Sequence, residues 1–161
     1  MQKDKENFEI WKSSLTKAKS KLKTAENILH MVIPLKDNRL MIKALTFLSE
    51  SSSLIITSIL QKECLNNNLK LYSNQEKNLK VFFNLVNKYL EKKDIENIAT
   101  LMRIRREHIR SHLEFIKQDK FVIFLGERYE VVTLELIKKL MSSVEILILK
   151  IERTSGKEKD I

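Results

Sequence analysis

The stretch FEIWKSSLTKAKSKLKTAENIL, residues 8–29, decides the fold class. Phe8, Trp11, Leu15, Ala18, Leu22, Ala25 and Leu29 recur at alternating intervals of three and four residues. That spacing puts all seven on one stripe of an α-helix. A three-four repeat also suits a left-handed coiled-coil seam. The stripe therefore has two uses: packing on other helices of the chain, or homodimerisation through residues 8–29. Lys12, Lys19, Lys21 and Lys23 flank its edges and Lys17 points away, as expected of solvated lysines whose stems lie along an apolar face.

Working outward, Pro34 is expected to end this helix, because the residue before a proline avoids the α region. Asp37 or Asn38 can cap a second helix that runs to about Glu63. Its apolar surface is broad enough for the central helix of a bundle. Ser49, Ser51, Ser52 and Ser53 interrupt it; small residues there favour close packing, and a serine nucleophile would lack a partner base. Asn66 to Asn68, then Ser73 and Asn74, mark a polar connection. A third helix is expected over about 74–91, and a fourth over about 95–117 with Asp94 as N-cap. Phe121 to Phe124 and Tyr129 to Val132 flank Gly126 and read as a short hairpin. Thr133 can cap a last helix to about Arg153.

Composition agrees. The chain of 161 residues holds 2 Gly and 1 Pro, where average usage would give roughly 11 and 8. Glycine-rich phosphate loops, collagen-like repeats and multi-turn β-sandwiches are thereby excluded. With 43% hydrophobic and 32% charged residues the chain can bury a core. The expected architecture is a single all-α domain over 1–153, an antiparallel bundle of about five helices with one short β-hairpin near 121–132. A flexible polar tail, 154–161, follows. Cys64 is the sole cysteine, so no internal disulfide forms, and a reducing compartment is expected. The charged N-terminus is unlike a signal peptide, and no uninterrupted apolar run approaches the ~20 residues of a membrane span. A cytoplasmic protein without membrane association follows as the expectation. No CxxC, DxD or HExxH spacing occurs, so neither metal nor cofactor is expected.

Thirty Lys+Arg against 21 Asp+Glu give a net charge of +9. A basic field attracts polyanions and places RNA or a ribonucleoprotein first among partners. Surface lysines that need no partner are the alternative. The fourth helix concentrates the relevant side chains. At 100° per residue, Arg103, Arg106, Arg110 and Lys117 form one basic ridge, a candidate nucleic-acid-binding surface. Arg105, His108 and His112 fall inside the apolar arc, either as a structural polar network or as a cleft. Arg106, His108 and His112 are the candidate catalytic set for RNA cleavage. A histidine can move the 2′-hydroxyl proton while an arginine stabilises charge on the phosphate.

Residues Ala18 to Leu29, AKSKLKTAENIL, resemble the first helix of HEPN domains. That resemblance implies a helical bundle which is either a metal-independent ribonuclease with an Arg-x4–6-His motif or an inactive binding module. Arg103 with His108, Arg105 with His112 and Arg106 with His112 satisfy the spacing. The text AENILHMVIPLKDNRLMIKAL (25–45) with EHIRSHLEFIKQDKFVI (107–123) is similar to a small family of archaeal helical proteins. Its pattern matches Glu107, His108, Ser111, Glu114, Phe115 and Lys120 to Ile123, and favours His108 over His112. The reading reached from the residues is a basic, non-catalytic RNA-associated protein. A protein-interaction or dimerisation module and a HEPN-type ribonuclease are the alternatives.

Overall fold

A computed structural model describes residues 2–66 and 69–156, with side chains described from Ile10 to Thr154 apart from the gap. The side chain of Phe8 and the tail beyond Gly156 lie outside the described residues. The chain is predominantly helical: α1 (Gln2–Leu35), α2 (Leu40–Leu65), α3 (Gln75–Val86), α4 (Lys92–Arg110) and α5 (Leu134–Gly156). Three strands, β1 (Leu113–Lys117), β2 (Lys120–Leu125) and β3 (Arg128–Val132), lie between α4 and α5.

From Trp11 to Leu29 the opening stripe forms as read, and α2 packs along α1. Trp11, Leu15, Ala18, Ala25 and Leu29 are buried. Small residues let the two backbones close up. Ser51 donates to the Ala18 carbonyl at 2.7 Å, and Ser58 donates to the Trp11 carbonyl at 2.8 Å. Numbers rise on α2 as they fall on α1, so the pair is an antiparallel hairpin. The stripe from Trp11 to Leu29 is thus packed within the chain. α2 packs against all four other helices and is the central helix. By length and composition α2 is also apolar enough to cross a membrane, and half of its most apolar window is buried in the core. Its serines hid this from a search for uninterrupted apolar runs.

Several boundaries differ from expectation. Pro34 sits inside the last turn of α1, which runs on to Leu35. Lys36, at φ 49, stops the helix in the left-handed region. Asp37 accepts from the Arg39 backbone N–H at 3.1 Å, whereas Asn38 reaches away to the Gln118 carbonyl at 2.9 Å. Asn74 caps α3 through the N–H groups of Glu76 and Lys77, and the helix ends early, at Val86. Glu91, not Asp94, occupies the N-cap of α4. Asp94 is buried within the first turn and accepts from Ser143 of α5 at 2.8 Å, with Asn97 donating to the same hydroxyl at 2.9 Å. Thr133 caps α5 as read, accepting from the Leu136 N–H at 3.1 Å. α5 runs past Arg153 to Gly156, so the helical part does not stop at 153.

The largest departure is the sheet. α4 ends at Arg110 rather than near Lys117, because Ser111 turns to extended backbone, φ −71 and ψ 136. The Ser111 hydroxyl lies 2.8 Å from the Phe124 carbonyl and ties the helix end to β2. Residues 113–117 then pair with β2, making a three-stranded antiparallel meander of order β1-β2-β3 in place of one hairpin. Two-residue turns join the strands. Each has positive φ at its first position, Gln118 at 58 and Gly126 at 66. Phe121, Ile123 and Val132 carry the inner face into the helical core.

Candidate nucleic-acid interface

The expected basic ridge is divided between different surroundings. Arg103 is neutralised: its guanidinium grips Glu130 of β3 at 2.7 and 3.1 Å and also meets Glu107 at 3.3 Å. The hydrogen bond to Glu130 holds its pKa above the ordinary arginine value, against partial desolvation. Arg106 and Arg110 instead line a cleft with Arg105. Lys117 leaves the helix altogether and stands at the end of β1. The reason is the helix stop at Ser111, which removes Lys117 from the periodicity that had aligned it.

The candidate catalytic residues are likewise separated in their partners. His108 is half-buried, with Nδ1 2.6 Å from Glu114 of β1 and its ring edge-on to Phe121. His112 lies beyond the helix and is exposed. Arg105 donates to the Ser53 hydroxyl at 2.6 Å. No arginine shares a hydrogen bond with either histidine among the described residues. Arg103 to Glu130 and His108 to Glu114 together fasten α4 to both edges of the sheet. Among the described residues no cluster of metal-ligating groups occurs.

The feature that sequence reading missed is the outer face of the meander. Pairing partners share a face, so Leu113, Phe115 and Lys117 stand with Phe124, Val122 and Lys120, and these with Tyr129 and Val131. Phe115 stacks on Phe124 with centroids 5.6 Å apart and planes at 30°. Phe124 in turn meets Tyr129 at 6.0 Å. Tyr129 is 65% and Phe115 39% exposed, so both rings reach solvent. A shallow groove of about 480 Å³ follows it. Lys117 and Lys120 are directly opposed at one end, both exposed. Like charges across a strand pair repel, and a bound anion relieves them. Little signal was present: apolar and charged residues alternate over Leu113, Glu114 and Phe115, but Ile116 and Lys117 break the period of two.

No protein-family model, curated protein or solved structure matches this chain.

Proposed function

We propose that the protein binds single-stranded RNA without cleaving it, with bases stacked along Phe115, Phe124 and Tyr129 and phosphates held by Lys117 and Lys120. The single observation carrying this reading is the exposed aromatic ladder ending in two facing lysines. Stacking on aromatic side chains contributes about 1–3 kcal/mol per base, and every base has a π-face to offer. Lysines at the end of the ladder add a salt-sensitive attraction to the backbone. The overall charge of +9 draws the polyanion in. In this reading the HEPN likeness of residues 18–29 corresponds to a non-catalytic binding module, acting in the cytoplasm.

The test is fluorescence anisotropy with a labelled single-stranded RNA 12-mer at low and physiological salt, beside an incubated sample run on a denaturing gel. Phe115→Ala and Tyr129→Ala are each expected to weaken binding about 5- to 150-fold, the range that stacking energies imply. Lys117→Gln should flatten the salt dependence by about 0.7 in log–log slope. Absence of binding at low salt, or alanine variants that bind like the parent, overturns the proposal. RNA fragmentation that vanishes in His108→Ala replaces it with the ribonuclease reading. Self-association that Tyr129→Ala abolishes assigns the face to a protein contact instead.

A further inference from the structure

A second feature stands apart from the sheet. Between α2, α3 and α4 lies a cleft of about 600 Å³, inside the ~300–1,000 Å³ range of small-molecule sites. Its rim carries Arg105, Arg106 and Arg110, and among the described residues no acidic one lines it. Arg39 and Arg103 both find carboxylates, but none of these three does among the described residues. Arg106 and Arg110 are one helical turn apart, so their charges repel across the same side of α4. Arg105 is half-buried and held by the Ser53 hydroxyl, which accepts its bond and keeps its own O–H to donate. A partly desolvated guanidinium without a counter-ion is costly. The rim is therefore built for an anion, and forked guanidinium donors match carboxylate or phosphate oxygens.

The floor specifies the rest of the ligand. Ile56 and Leu60 of α2, Leu79 of α3 and Met102 of α4 line it. Among the described residues no aromatic side chain lines it, so these offer a nucleobase nothing to stack on, unlike the sheet face. The body of the ligand is aliphatic. We infer that this cleft binds an amphipathic anion, a hydrocarbon chain ending in a carboxylate or phosphate, with the head on Arg105, Arg106 and Arg110.

Titration calorimetry on the full chain tests this with dodecanoate and dodecyl phosphate below their micelle concentrations. Dodecyltrimethylammonium and inorganic phosphate serve as controls. One or both amphipathic anions are expected to bind while both controls fail. Binding of dodecyl phosphate alone assigns a phosphate ester, and equal binding of both assigns any oxyanion head. Arg105→Gln and Arg110→Gln should each weaken binding at least tenfold; Arg110 is exposed, so its variant keeps the fold. Tyr129→Ala should leave this binding unchanged, separating the cleft from the RNA reading. Three results overturn the inference: no binding of either anion, equal binding of the cationic chain, or affinity indifferent to both arginine variants.

Discussion

Three serines of α2 allow the packing of the helical hairpin to be tested by the sign of an effect. Ser51, Ser52 and Ser58 are 0%, 1% and 0% exposed. Ser51 and Ser58 donate to carbonyls of α1, whereas the Ser52 hydroxyl has no partner among the described residues. Replacing Ser51 by alanine deletes a 2.7 Å bond, but the Ala18 carbonyl lies inside α1 and keeps its helical partner. The loss is then one net hydrogen bond, about 0.5–1.5 kcal/mol. Ser58→Ala should cost the same. Ser52→Ala removes a buried hydroxyl whose desolvation, about 1–3 kcal/mol, nothing offsets. It should stabilise by about 1 kcal/mol, leaving a gap of about 2 kcal/mol between chemically identical substitutions. Urea unfolding reads this as midpoints moving in opposite directions at constant slope. For a chain of this size, thermal midpoints should shift about 2–4 °C per kcal/mol. A neutral Ser51→Ala would refute the close approach of α1 and α2 described above, and a Ser52→Ala protein less stable than the parent would refute the unpartnered state of the Ser52 hydroxyl.

The other two predictions concern single positions. Gly126 has φ +66 and an added Cβ would meet nothing within 4 Å, so Gly126→Ala should cost only its backbone strain, about 1 kcal/mol, and Gly126→Asn less. Equal urea midpoints for parent and alanine variant would show that the turn does not need that conformation. Burial pushes the Cys64 thiol up, with Glu63 adding and a Leu71 backbone hydrogen bond opposing. The folded protein therefore holds less thiolate at pH 8, and iodoacetamide should label Cys64 more slowly than in denaturant; equal rates would contradict this. The associated stabilisation is present below the ordinary thiol pKa and fades as pH rises through the raised one.

What the sequence made legible was whatever a single period specifies. The α1 stripe reads only as a helix face, and Thr133 caps α5 because its side-chain oxygen can serve few other ends there. Residues 113–117 were illegible for the opposite reason. Leu113 and Ile116 continue the helical stripe of Ile98, Met102 and Ile109, and the alternation of Leu113, Glu114 and Phe115 stops at Ile116, too short to mark a strand. The turn at Gln118 and Asp119 has no glycine to announce it, and the Ser111 bond to Phe124 that ends α4 is a tertiary contact. Asp94 failed similarly, since a good N-cap residue was claimed by Ser143 from a distant helix. The candidate site followed these errors: a ridge drawn on a helix that stops early breaks into a neutralised arginine, a cleft and a sheet face.

The meander has two open edges, β1 and β3, and an unpaired strand edge is a template on which other chains can grow. These edges are poor templates. A second β1 laid antiparallel about Phe115 would set Lys117 against Leu113 and Glu114 against Ile116, a charge facing hydrocarbon at each pair. A second β3 centred on Glu130 would oppose two carboxylates directly. Both strands are short, five residues each. Glu114 and Glu130 therefore serve twice: they anchor the sheet to α4 through His108 and Arg103, and they keep an aromatic-rich ribbon from extending into a fibril.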